Sequence, residues 1–264
     1  MKTMDGEAVL RTMAEWVREG VPFVVATVIG SRGSSPRKVG AKMLVAADGR
    51  LEGTVGGGAV ESRVIERARR LLEDPEVLRF EWDLGSEEAG GMACGGRMEF
   101  LLEPFGVHPR CVIFGAGHVG AALQGILGTL GFDRVVVDRR EELLRGDRLA
   151  GAATIPGDPE VLAREMPLGP RDLCVIVNPT HQDDLGVLRA LLGRKVAYIG
   201  LMASRRKKAE IWGILATEGV DAGLLDRVHC PVGLDIGAET PAEIAVAIAA
   251  EIIATLRGAT PHGA

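Results

Sequence analysis

Aromatic residues are scarce: they make up 4% of the 264-residue chain, with a single tyrosine. Basic excess is missing as well. The 31 Lys and Arg against 36 Asp and Glu give a net charge of −5, and the halves on either side of residue 108 carry −3 and −2. A chain without a basic face or stacking aromatics is not expected to bind nucleic acid. No apolar run reaches the roughly 18 residues of a membrane span. The longest, Ala242 to Leu256, is interrupted by Glu243 and Glu251. The first twenty residues carry Asp5, Glu7, Glu15 and Glu19 and no apolar signal core, so no membrane and a cytoplasmic location are expected. Cys94, Cys111, Cys174 and Cys230 form no C-x-x-C pair, which removes a readable zinc site or redox dithiol.

Glycine is what the chain has in excess. Its 36 glycines are close to twice the usual share of about 7%. They cluster at 53–58, 85–96, 115–120 and 233–237, where backbone must turn sharply or approach a ligand closely.

The hydrophobic period divides the chain near Pro104-Phe105-Gly106, read as a linker running to Pro109. Residues 1–106 read as an N-terminal α+β domain. A helix over Glu7–Glu19 places Val9, Leu10, Met13, Trp16 and Val17 on one face. Strands are expected at Pro22–Ile29, Lys42–Ala46, Leu51–Val55, Val77–Trp82 and Arg97–Leu102, with a helix over Ala59–Leu72. Residues 107–264 alternate short apolar runs with helical stretches. Strands at Cys111–Phe114, Val135–Val137, Ala152–Ile155, Cys174–Val177 and Val196–Ile199 predict a doubly wound parallel sheet, a Rossmann-like domain.

Several segments carry chemistry. Residues 110–120 read as strand, G-x-G-x-x-G, then helix. Gly115 allows the tight turn, Gly117 allows backbone N–H groups to approach a phosphate, and Gly120 allows close helix packing. His118 opens that helix, and Asp138 ends the next strand, where it would accept from a ribose hydroxyl. The same residues also fit a nucleotide fold kept without its nucleotide. A second glycine turn, Gly53 to Glu61, places Gly56, Gly57, Gly58 and Glu61 between a strand and a helix start. It is either an anion nest or a tight hairpin exit. Upstream, residues 31–47 contain no acid, and Ser34, Ser35 and Arg37 stand there with Arg32, Lys38 and Lys42 as an electropositive candidate.

Cys94 lies among glycines rather than in an apolar run. It reads as a thiolate nucleophile, sulfur carrier or soft-metal ligand, or as a small residue filling a turn. His181 with Asp183 or Asp184 reads as an acid–base pair beside the switch-point crevice, or as the first turn of a helix capped by Thr180. Ser204, Arg205 and Arg206 open a later helix, where cations cost stability unless an anion answers them. Thr240, Pro241 and Glu243 form a capping box, which leaves His229, Cys230 and Asp235 unexplained. On residues alone, an NAD(P)-dependent oxidoreductase using His118 or His181 is one expectation.

Seven ordered blocks together resemble the xanthine dehydrogenase accessory protein family (XdhC/CoxI). They are GSSPR (33–37), GxVGGGxxE (53–61), GMACGG (91–96), FGAGHVG (114–120), THxDD (180–184), YIGLMxSRRK (198–207) and HCPVGLDIGAETPAEIAVAI (229–248). Ala203 departs from the glycine that the family more often has before Ser-Arg-Arg-Lys. The resemblance implies a chaperone rather than a turnover enzyme. It implies binding of the molybdenum cofactor, as molybdopterin or its dinucleotide form, and its protection while a cysteine desulfurase installs the sulfido ligand. It further implies delivery to an apo molybdenum hydroxylase of xanthine or CO dehydrogenase type. Cys94 would then contact the sulfur or the molybdenum, with the pterin end near Gly56–Gly58 and the phosphate or nucleotide end near Gly115–Gly120. A homodimer is expected for such a fold.

Overall fold

The structure is a computed structural model that describes residues 4–33, 35–84 and 96–259. The chain divides into two units, Met1–Val107 and His108–Ala264.

In the first unit the valine-rich run after Pro22 forms β1 (Phe23–Arg32), which pairs with β2 (Lys42–Ala46) on one side and β5 (Arg97–Phe105) on the other. With β3 (Leu51–Gly53) and β4 (Leu78–Asp83) they make an antiparallel sheet in the order β3-β2-β1-β5-β4. Six consecutive buried residues in β1 follow from two covered faces. Val24, Ala26 and Val28 pack with Val60, Val64, Ala68 and Leu71 of α2 (Gly58–Glu73). Phe23 and Val25 pack with Val9 and Trp16 of α1 (Met4–Glu19).

Two expectations need correction here. Leu10 and Val17, expected on the buried face of α1, are 61% and 63% exposed. Only the stripe Val9, Met13, Trp16 meets the sheet, and Leu10 and Val17 each sit one residue past it, turned toward solvent. Pro104 and Phe105, expected in a linker, belong to β5. Their pairing with Val24 and Phe23 and the stacking of the Phe105 and Phe23 rings at 5.6 Å hold the strand in register. β4 begins opposite Leu102, so no β4 residue requires a donor from Pro104.

The second unit starts at β6 (Arg110–Phe114) and α3 (His118–Thr129). It continues through β7 (Asp133–Asp138), α4 (Glu141–Leu144), β8 (Ala153–Pro156) and α5 (Pro159–Glu165). Then follow β9 (Leu173–Ile176), α6 (His181–Leu192), β10 (Tyr198–Leu201) and α7 (Arg205–Thr217). It closes with α8 (Ala222–Leu225), β11 (Val228–His229) and α9 (Pro241–Leu256). The six strands are parallel, in the order β11-β10-β9-β6-β7-β8. Side chains of β6 alternate between two cores. Val112 and Phe114 face α5, α6 and α7, whereas Cys111 and Ile113 face α3 and α9. The strand expected at Val196–Ile199 lies at Tyr198–Leu201, and β11 is too short for its period to be read. Among the described residues no helix is long and apolar enough to cross a membrane.

The order places the first strand of this sheet, β6, beside its fourth, β9. Strand order reverses there, so the turns leaving the carboxyl ends of β6 and β9 border a crevice.

Candidate functional site

The β6–α3 turn is built by three glycines with different tasks. Gly115 has φ +121°, and a Cβ there would stand 2.5 Å from the Val177 carbonyl oxygen of the neighbouring β9 turn. A Cβ on Gly120 would fall on the Gly115 carbonyl, so this glycine seats α3 against its own entry turn. Gly117 meets nothing within 4 Å, so the space its missing side chain leaves is open. It is the N-cap of α3, which has no side-chain cap and no acid in its first turn. By contrast α6, α7 and α9 are capped by Thr180, Ser204 and Thr240. The α3 N-terminus therefore presents uncompensated N–H groups and positive potential to the crevice. His118 is exposed beside it.

Asp138 does not serve as the ribose acceptor expected of it. Its Oδ2 accepts from Ala116 N–H at 2.8 Å and from Arg140 Nη2 at 2.7 Å. Its Oδ1 accepts from Arg140 N–H and Nε, both at 2.9 Å. Four donors use up the lone pairs of a carboxylate. Burial alone would raise this acid, but Arg140 and the two backbone donors outweigh it and hold the carboxyl below its ordinary value. Asp138 is a brace for the glycine turn, and Arg140, which the sequence does not single out, is its partner.

The β9–α6 turn supplies a different set. Asn178 is buried, and its Nδ2 makes no well-formed hydrogen bond among the described residues, although it lies near enough to Asp184 to favour that carboxylate's charged form. An amide nitrogen has two hydrogens to give, so donor capacity remains. The Asn178 backbone N lies 3.1 Å from where a Gly115 Cβ would sit, so the residue stands at the crevice. His181 and Asp184 do not form the expected acid–base pair. The His181 ring turns Nδ1 toward Glu210 at 3.7 Å, while Asp184, fully buried, pairs with Lys207 Nζ at 2.5 Å. Thr180 caps the helix at Asp183 N–H, the other of the two expectations for this segment, and Asp183 also pairs with Arg139. Burial raises the Asp184 carboxyl despite Lys207 and Asn178.

At the start of α7, Ser204 accepts from Lys207 N–H at 3.2 Å. Arg206 projects into solvent and pairs with Glu210 in the next turn. Arg205 is exposed, with no ion-pair partner among the described residues. The basic run is thus divided among Lys207 committed to Asp184, Arg206 paired locally, Lys208 donating to the Cys230 carbonyl at 2.8 Å, and Arg205 without an ion-pair partner among the described residues.

The glycine turn of the first unit is arranged otherwise. Gly56, Gly57 and Gly58 all have positive φ, and a Gly56 Cβ would approach Pro36 Cγ at 2.9 Å, so the 35–37 segment lies on this turn. Glu61 reaches back to accept from Gly57 N–H at 3.0 Å and from the Thr54 hydroxyl. The anion that this helix start attracts is already supplied by the chain. Ser35 bonds Ser31 and the Arg37 carbonyl, Arg37 is exposed, and Lys42 donates to Thr27 at 2.8 Å. Ser34 and Cys94 lie outside the described residues.

The model of the XdhC Rossmann domain matches residues 111–252, and that of the XdhC and CoxI family matches residues 16–81. The Escherichia coli K12 protein YqeB is 37% identical over 242 residues, 91% of this chain and 44% of YqeB. This chain thus spans less than half the length of that relative. A Bacillus subtilis 168 protein, named as a probable xanthine dehydrogenase component, is 26% identical over 88% of this chain and 92% of its own length. The E. coli molybdenum cofactor insertion chaperone PaoD is 36% identical over 101 residues, 38% of this chain and 32% of PaoD. With one model matching more than half of its residues, this chain belongs to the XdhC and CoxI family.

Proposed function

We propose that this chain is a maturation factor for a molybdenum hydroxylase of xanthine or CO dehydrogenase type. In this reading it binds the molybdenum cofactor as cargo, in the cytoplasm, holds it while a cysteine desulfurase sulfurates it, and releases it to the apo enzyme. The observation that carries the reading is the uncapped α3 N-terminus at Gly117, open to the switch-point crevice. Its neighbour Asn178 keeps a buried amide with a hydrogen still to donate. Both features fit a phosphate, which molybdopterin carries and which its dinucleotide form carries twice. Arg205, exposed and without an ion-pair partner among the described residues, opens α7 at the same carboxyl end of the parallel strands, on the other face of the sheet, and is the cation for a second anionic group. The names of the B. subtilis protein and of PaoD support the same assignment. Within the proposal Cys94 is the soft donor to the sulfur or the molybdenum, and the working form is a homodimer. The NAD(P)-dependent alternative loses its ribose acceptor, because every lone pair of Asp138 is taken.

Gly117→Asp tests the reading. The residue has φ −65° and open space, so a carboxylate fits without strain and places negative charge where the phosphate is proposed to sit. Cofactor binding is expected to weaken at least about tenfold, with Gly117→Ala far milder. Activation of a cofactor-free hydroxylase should fall in parallel. Unchanged binding by Gly117→Asp, or wild-type protein that neither retains cofactor nor raises hydroxylase activity, would overturn it.

A further inference from the structure

Outside that crevice, the segment from His229, the last residue of β11, onward carries unexplained chemistry. Three bonds tie it to α9. His229 Nδ1 bonds one oxygen of Glu251, Gly233 N–H donates to the other, and Leu234 N–H donates to the Ala247 carbonyl at 3.2 Å. Gly233, at φ +99°, lies directly on α9, where a Cβ would stand 3.1 Å from that of Ala247. The Tyr198 ring packs beside His229 with centroids 4.5 Å apart, and its buried hydroxyl lies near Glu251 without a well-formed hydrogen bond. Burial, with Glu251 nearby, pushes that phenol far up, so it stays neutral. A cleft of about 530 Å³ opens here, lined by His229, Glu251, Pro231, Leu234, Asp235 and Thr255. Such a volume suits a small molecule.

The chemistry follows from the Glu251 bond. With a carboxylate as acceptor, the hydrogen of this bond sits on Nδ1, and in that tautomer of the uncharged ring Nε2 keeps the lone pair. Gly233 pins the carboxylate, so it cannot swing away from the imidazole. The result is a basic nitrogen at a cleft, with a counter-charge in place for the imidazolium. A brace would not need the ring, since Asp138 braces its turn through Arg140 and backbone donors alone. A metal site is not supported, because no group of three or more potential ligands is brought together among the described residues. The carboxylates of Asp235 and Glu251 disfavour a ligand that arrives as an anion, the imidazolium formed on proton transfer answers the charge left on a neutral one, and Pro231 and Leu234 add an apolar wall.

We propose that His229, oriented by Glu251, is a proton acceptor in a second ligand cleft. The cleft takes a small, uncharged, partly apolar molecule bearing a weakly acidic O–H, N–H or S–H. That bond breaks heterolytically, its electron pair stays on the ligand, and the proton passes to Nε2; return of the proton restores both. The site is independent of the cofactor reading.

Two measurements on the whole chain test it. In wild-type protein at about pH 8, diethyl pyrocarbonate should modify His229 at least about tenfold faster than the exposed His108 and His118, as followed by peptide mass mapping. Glu251→Gln should remove that advantage. Below neutral pH, p-nitrophenol, a neutral weak acid whose anion alone is strongly coloured, should turn yellow on adding wild-type protein but not His229→Ala. His229 reactivity no greater than that of the other two, or colour that is absent or survives His229→Ala, would overturn the proposal. Because the first measurement needs only wild-type protein, it stands even if a variant fails to fold.

Discussion

The turn at 53–58 before α2 and the turn at 115–117 before α3 start from the same ingredients. Each leads out of a strand, is rich in glycine and enters a helix whose first N–H groups need partners. In the first unit Glu61 folds back onto Gly57 N–H and Thr54, so the helix start is answered from within. In the second, α3 has no side-chain cap, and the nearby acid Asp138 is turned aside to brace the turn. A carboxylate at the fourth position of a helix, folded back onto the cap, satisfies that helix, whereas one held by an arginine leaves the helix start available. Glycine content alone does not make an anion site; what matters is whether an acid of the chain reaches the N-terminus first.

The largest expected effect separates the two turns by what a methyl group would meet. Gly120→Ala puts a Cβ onto the Gly115 carbonyl, with no flexible side chain to give way. We expect a loss of about 3 kcal/mol, read by hydrogen exchange in peptides from β6 and α3. Gly57→Ala meets open space and carries only the cost of φ +74°, about 1 kcal/mol, read in peptides from β1 and α2. Equal losses would mean that the two turns are packed alike.

How much of this is legible in the sequence depends on whether the cause is local. The strand–glycine–helix order of residues 110–120, the alternation that makes a doubly wound sheet and the Thr240–Glu243 capping box are set by near neighbours, and they can be read directly. The fates of Asp138 and Glu61 cannot. Ligand binding and internal bracing ask for the same residue types at the same spacing, and only geometry shows which donors a carboxylate meets. Asp184 shows the same limit. Close to His181 in sequence it suggests an acid–base pair, yet its partner is Lys207, 23 positions away on another helix. Arg140 escapes notice because an exposed-looking Arg-Arg pair after a strand gives no periodic signal. Leu10 and Val17 are misplaced because helical spacing gives the apolar face but not how wide a stripe the sheet covers.

A smaller effect tests the first turn from the opposite side. Glu61→Ala removes the acceptor from Gly57 N–H and the charge at the start of α2. The expected loss is about 1 kcal/mol of first-unit stability, the usual size for a lost cap. The variant should also gain what the wild type lacks. Added inorganic phosphate should raise its unfolding temperature more than that of the wild type, because the freed N–H now has an anion to bind. Glu61→Gln, which keeps an acceptor but not the charge, should lie between them. If phosphate treats Glu61→Ala and wild type alike, the two turns differ by more than one carboxylate.

The smallest effect concerns pH within the second unit, where Asp138 and Asp184 pull in opposite directions. Asp138 is held below the ordinary aspartate value of about 3.9 by Arg140 and two backbone donors that outweigh its burial. Its contribution is therefore complete above that value and is lost as pH falls through the lower folded value. Asp184 is raised by burial, with Lys207 only partly offsetting it. Its proton uptake favours the folded state most below about 3.9, and that gain disappears as pH rises through the higher folded value. Acidification should therefore first recruit Asp184 and only then strip Asp138. Trp16→Phe and Trp82→Phe together leave Trp212 as the sole tryptophan, a reporter of the second unit. In that background, urea unfolding from about pH 5 to pH 3 should lose less stability per pH unit in Asp138→Asn and more in Asp184→Asn. Parallel curves for the two variants would show that neither carboxylate is held as described, and that the α3 turn stays open for some reason other than the diversion of Asp138.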